Sequence, residues 1–125
     1  MIIHESAENY LETILVLNKR LGHVRSIDIA TELNYSKPSV SVAMKNLRQN
    51  NLIVVDESGY ITLTEEGQTI ANNILERHHV ISSLLIGLGV DPEIAAEDAC
   101  KIEHVLSPES FEALKSHAQN FDSKK

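Results

Sequence analysis

Apolar residues recur every three or four positions between Glu5 and Arg20, at Tyr10, Leu11, Ile14, Leu15 and Leu17, with Leu21 continuing the series and Gly22 following. That spacing lines one face of a helix, and a glycine just past the last turn can close it in the left-handed conformation. Ser26 is placed to cap a short second helix, Ile27 to Leu33, with Asp28 in its first turn, where a negative charge complements the helix dipole. Asn34-Tyr35 breaks the pattern. Ser36 then caps a third helix, running to about Asn50, with Pro38 in its first turn, where the missing N–H costs nothing. Its apolar stripe is Val40, Ala43, Met44 and Leu47.

The period then changes. Leu52-Ile53-Val54-Val55 and the alternating Tyr60-Ile61-Thr62-Leu63-Thr64 flank Asp56-Glu57-Ser58-Gly59, a turn sequence, so a β-hairpin is predicted. Two short helices with a tight turn, followed directly by a hairpin, form the winged helix-turn-helix plan. Beyond it a long helix is predicted from about Glu65 to Leu88, apolar at Ile70, Ala71, Ile74, Leu75, Ile81, Leu84 and Leu85, and stopped by Gly87 and Gly89. Asp91-Pro92 and Ser107-Pro108 each open a further helix. The expected fold is mainly α with a small β-hairpin wing. Residues 1–66 make the DNA-binding domain, and residues 67–125 a helical layer, too small for a second core, that serves dimerisation.

Composition narrows this. The chain has 125 residues, 42% hydrophobic content, 4% aromatics and no tryptophan, so one core built from aliphatic side chains is expected. No stretch approaches the roughly 20 apolar residues of a membrane span and Met1 to Tyr10 shows no signal segment, which points to a soluble, cytoplasmic protein. The net charge of −7 argues against nucleic acid only until its distribution is read. Between Thr13 and Asn50, six cations face Asp28 and Glu32, a net +4, whereas the chain from Ile61 onward carries −6. Ser36, Lys37, Ser39 and Ser41 at the start of the third helix are placed for the major groove, and Arg25, Lys45 and Arg48 for the phosphate backbone. No Asn, Gln or Arg lies in the first two turns, so direct base reading is sparse and DNA shape and paired half-sites carry weight.

The chemistry concentrates near the other end. Cys100, Glu103 and His104, at i, i+3 and i+4, fall on one face of a predicted helix, where thiolate, carboxylate and imidazole can hold one divalent transition metal. Three polar residues on a face also describe a solvated surface. A single cysteine excludes an intramolecular disulfide and leaves Cys100 as a small buried residue, a ligand or a reactive thiol. A thiol enzyme would need an oxyanion feature or substrate pocket that the sequence lacks, so no enzyme is expected. The alternative regulator senses an organic effector or thiol oxidation through Cys100, without a metal.

The order of winged helix, Glu76-Arg77-His78, and Ala99-Cys100-Lys101-Ile102-Glu103-His104-Val105-Leu106-Ser107 resembles the diphtheria toxin repressor and manganese transport regulator family, in its short form without an SH3-like domain. The resemblance covers Ser6 to about Leu114. It implies a homodimer that binds a palindromic double-stranded operator when loaded with Fe(II) or Mn(II), repressing metal-uptake genes. It also implies a ligand set of Asn9, Glu12, His78, Cys100, Glu103 and His104, and it sets Ser36 and Pro38 against thymine-rich base edges. The chain departs from the family at several points. Asn9 stands where the manganese type has aspartate and the iron type methionine. Ser82 and Ala96 stand where the iron type's ancillary site has glutamate and histidine, and Val42 stands where it uses glutamine in the recognition helix. Cys100 matches the iron type, and a soft thiolate favours Fe(II), Co(II), Ni(II) or Zn(II) over Mn(II), with Fe(II) first.

Overall fold

A computed structural model describes residues 5–123. Among them the chain forms α1 (Glu5–Leu21), α2 (Ser26–Leu33), α3 (Lys37–Gln49), β1 (Ile53–Val55), β2 (Ile61–Leu63), α4 (Glu65–Gly87), α5 (Pro92–Ile102) and α6 (Pro108–Ser123). It divides into two units, Met1–Asn72 and Asn73–Lys125, with α4 running from one into the other.

In the first unit, Tyr10, Leu11, Ile14, Leu15 and Leu17 of α1 are buried with Ile29, Val40, Met44, Leu47, Leu52, Ile53 and Ile61. Each of these elements is too short to persist alone, so burial of this shared aliphatic core, not helix propensity, holds them. Leu21 continues the α1 series in sequence but is exposed. Gly22, at φ +84°, closes the helix, its N–H bonding the Asn18 carbonyl at 3.0 Å.

One cap differs from expectation. Ser26 is already the first residue of α2, and Arg25 occupies the cap position in extended backbone. Asp28 explains the shift, because its Oδ2 accepts from the Arg25 N–H at 2.9 Å and fixes the chain one residue earlier. Asn34, at φ 58°, ends α2, and the Ser36 hydroxyl accepts from the Ser39 N–H at 3.3 Å to open α3. The two helices and their three-residue turn form the helix-turn-helix.

The wing is a two-stranded antiparallel sheet with Ile53 opposite Leu63 and Val55 opposite Ile61. Asp56 organises its turn: Oδ1 accepts from the N–H groups of Ser58 and Tyr60, both at 2.9 Å. The Ile61 N–H bonds the Val24 carbonyl at 2.7 Å, tying the wing to the segment ahead of α2. At the foot of the hairpin the Leu52 carbonyl accepts from Thr64 N–H at 3.0 Å, and Gly67 packs so closely that a Cβ there would lie 2.1 Å from the same oxygen.

In the second unit, Ile74 and Ile81 of α4, Ala95 and Ala99 of α5 and Phe111 of α6 are buried. Asp91 caps α5, accepting from Glu93 and Ile94 N–H, and Ser107 accepts from Ser110 N–H at 3.1 Å at the start of α6. Among the described residues no helix is long and apolar enough to cross a membrane.

Candidate metal centre and nucleic-acid interface

The sequence placed Cys100, Glu103 and His104 on one helical face. In the structure α5 stops at Ile102, with Glu103 as its C-cap and His104 in the following turn. The three residues therefore separate by environment: Cys100 is exposed on the last turn of α5, whereas Glu103 is fully buried, at 0% exposure. Glu103 continues the buried stripe of Ala95 and Ala99, from which Cys100 is turned away, and Arg77 of α4 holds the turn that follows. One guanidinium nitrogen donates to the carbonyls of Glu103, at 3.0 Å, and Leu106, at 2.8 Å, while the group lies 5.1 Å from the Phe111 ring centroid. The Glu103 carbonyl at the helix end lacks an intrahelical partner, and a stacked, charged donor satisfies it together with the Leu106 carbonyl of the following loop and so holds the turn.

That turn puts the Glu103 carboxylate between two imidazoles. His78 Nδ1 lies 3.0 Å from Oε2, and His104 Nε2 lies 3.4 Å from Oε1, with only 2% of the His104 side chain exposed. A fully buried carboxylate flanked by two nitrogen donors is the N/O set that suits a divalent transition cation. In the first unit, Asn9 is half-buried one turn before Thr13, whose hydroxyl donates to the Asn9 carbonyl at 2.8 Å. Glu12 is half-buried, and its Oε2 is enclosed without a hydrogen-bond partner among the described residues. A buried carboxylate oxygen left without a donor is costly, and a bound cation is one partner that would satisfy it. The residues present fit the group.

On the DNA-binding side, Arg25, Ser36, Lys37, Pro38, Ser39, Ser41, Lys45 and Arg48 are all exposed. The Ser36 hydroxyl is engaged in the α3 cap and in a 2.8 Å bond to the Ser39 hydroxyl. A depression of about 250 Å³ between α2 and α3 is lined by Ser26, Ile27, Lys37 and Ser41. Sequence reasoning missed an aromatic support at this face. The Arg25 guanidinium lies 4.6 Å from the Tyr60 ring centroid, and His23 stacks on that ring, also at 4.6 Å. Nothing in the spacing of residues 23, 25 and 60 signals that contact, which exists because the Ile61–Val24 hydrogen bond brings the wing to the start of α2.

Comparison with known proteins agrees in both halves. Residues 3–60 match the N-terminal DNA-binding domain of the iron-dependent repressors, and residues 64–124 their metal-binding and dimerisation domain. The transcriptional regulator MntR of Escherichia coli is 35% identical over 120 residues, 96% of this chain and 77% of that protein. An uncharacterized HTH-type transcriptional regulator of Methanocaldococcus jannaschii is 35% identical over 122 residues, covering 96% of this chain and 98% of the relative. The solved structure of the manganese regulator SloR superposes with a TM-score of 0.81 at 28% identity, over 95% of this chain. The chain spans about half, 55%, of that protein's length. With both domains matched in order and this identity over nearly its whole length, the chain belongs to the diphtheria toxin repressor and manganese transport regulator family of metal-dependent, DNA-binding transcriptional repressors.

Proposed function

We propose that this chain represses metal-uptake genes as a cytoplasmic homodimer on a palindromic double-stranded operator, with a divalent metal as co-repressor. Residues 1–66 bind DNA in this reading, and residues 67–125 bind metal and dimerise. The observation that carries it is the buried Glu103 carboxylate between His78 and His104, a nitrogen and oxygen donor set of the kind that holds a divalent cation. Asn9, Glu12 and Cys100 complete the ligand set. Fe(II) is favoured by the Cys100 thiol. Mn(II) is the second reading, favoured by the exposure of Cys100, by the oxygen and nitrogen donors of the remaining residues and by the manganese regulator among the similar structures.

A bound cation would supply the positive charge that balances the buried carboxylates. Glu103 and His104 offer their donor atoms from a turn that Arg77 holds in place, and Glu12 and Asn9 offer theirs from α1 of the DNA-binding unit. A ligand set that includes residues of α1, as the family resemblance implies, would couple metal occupancy to DNA affinity. By linkage each ligand then strengthens the other, ordinarily by about 1–3 kcal/mol.

The experiment is an anaerobic titration of chelator-treated protein with Fe(II), Mn(II), Co(II) and Zn(II), following metal stoichiometry and binding to its own promoter DNA. Tighter DNA binding with one or two metals per subunit, abolished in Glu103→Gln, supports the reading. Equal DNA affinity with metal and with chelator sinks it. Loss of the thiolate-to-Co(II) absorption in Cys100→Ser separates the thiolate set from the oxygen and nitrogen set.

A further inference from the structure

Val42 is the most exposed large apolar side chain among the described residues of the first unit, at 61%. It sits in the second turn of α3, with the helix buried along Val40, Met44 and Leu47. At roughly 100° per residue, Val42 points within about 15° of directly opposite that buried stripe. Pro38, one turn earlier on the same line, is also exposed, and Lys37, Ser41, Lys45 and Arg48 are exposed along one side of the pair. An apolar side chain at the crest of a helix contributes nothing to its own core, and cations line one side of this crest.

Resting on the DNA-binding reading, we infer that Val42 selects thymine at one position of each operator half-site by packing its methyl groups on the thymine 5-methyl. The cations along that side suit this face of α3 to a polyanion, and a helix-turn-helix lays its second helix in the major groove. There thymine alone presents a methyl group. Valine has no donor or acceptor, so against guanine, adenine or cytosine it would strip water from polar base atoms and return nothing. The same side chain therefore favours one base and disfavours three. Val42 is a specificity residue that the pattern of serines and cations on α3 does not reveal.

The test uses the full chain loaded with Mn(II) and a duplex recovered by it from a pool of random DNA. Each thymine is replaced singly by deoxyuridine, which keeps its pairing with adenine and lacks only the 5-methyl. One position per half-site is expected to lose roughly fourfold in affinity, the worth of one buried methyl. In Val42→Ala and Val42→Ser, which both lack the valine γ-methyl groups, that loss should shrink towards onefold, while the effects of other thymines stay as in the parent. Both variants should keep the parent's circular dichroism, because the side chain is outside the core. The inference is overturned if no thymine is sensitive, or if Val42→Ala discriminates thymine from deoxyuridine as well as the parent does. Recovery of no duplex at all would instead overturn the DNA-binding reading beneath it.

Discussion

Arg77→Met removes the group that shapes the turn holding Glu103 and His104, and the cost can be worked from its contacts. Arg77 donates two charged hydrogen bonds, at 3.0 and 2.8 Å, to the carbonyls of Glu103 and Leu106. Hydrogen bonds from charged groups contribute about 1.5–3 kcal/mol each, and a partly buried pair belongs at the lower end, so their loss is about 3 kcal/mol. The cation–π contact with Phe111 adds about 0.5–1 kcal/mol, roughly what a methionine sulfur regains against the same ring. The net expectation is therefore about 3 kcal/mol lost from the metal-free protein. Because the chain has no tryptophan, urea unfolding is best followed by far-UV circular dichroism, with an unchanged slope and a lowered midpoint. Arg77 also orients two of the proposed ligands without being one. Outer partners of this kind typically set metal affinity by about 10–100-fold, readable by Co(II) absorption titration on folded protein. Arg77→Lys keeps the charge but not the planar, stacked donor, and should recover about half the stability and part of the affinity. A stability loss under about 1 kcal/mol for Arg77→Met, or metal affinity equal to the parent's despite the full loss, would refute the reasoning.

Other substitutions test other parts. Gly67→Ala would set a methyl 2.1 Å from the Leu52 oxygen, backbone that also receives the Thr64 N–H. The resulting shift should cost about 1–3 kcal/mol, visible as a lower urea midpoint, although alanine is the better helix former; a neutral or stabilising result would contradict the close approach. A hydrogen bond from Arg20 holds the Glu32 carboxyl below its usual range. Its stabilisation is thus present above the unfolded carboxylate's value and disappears as pH falls through the depressed folded value. Urea midpoints of the parent and Arg20→Met should differ slightly at neutral pH and converge in acid; a gap persisting in acid would exclude this origin. Lys45→Ala should weaken all duplexes alike and reduce the salt slope by about one per subunit. A change confined to particular sequences would put Lys45 on a base edge instead.

The winged helix was legible because its signals are local. Ser36 with Pro38, Asn34, Gly22 and Asp56-Glu57-Ser58-Gly59 each act within a few residues, and each sits where its chemistry places it. The cap of α2 was misplaced by one residue for the same kind of reason: Ser26 is a good cap in isolation, but Asp28 binds the Arg25 N–H. The relation between Cys100, Glu103 and His104 was only half legible. Helical spacing says which residues can share a face, not where the helix ends or which of them is buried.

The sequence alone thus determined the order and type of elements, the caps of α3 and α5, the basic first half against the acidic second, and the residues with the chemistry to donate to a metal. These follow from periodicity and local hydrogen bonding, which act between near neighbours in the chain. Tertiary structure decided the rest. It separated the exposed Cys100 from the buried Glu103, set His78 from another helix 3.0 Å from that carboxylate and laid Arg25 on Tyr60. Each depends on residues far apart in sequence meeting or failing to meet, which packing of the whole unit decides and no local pattern encodes.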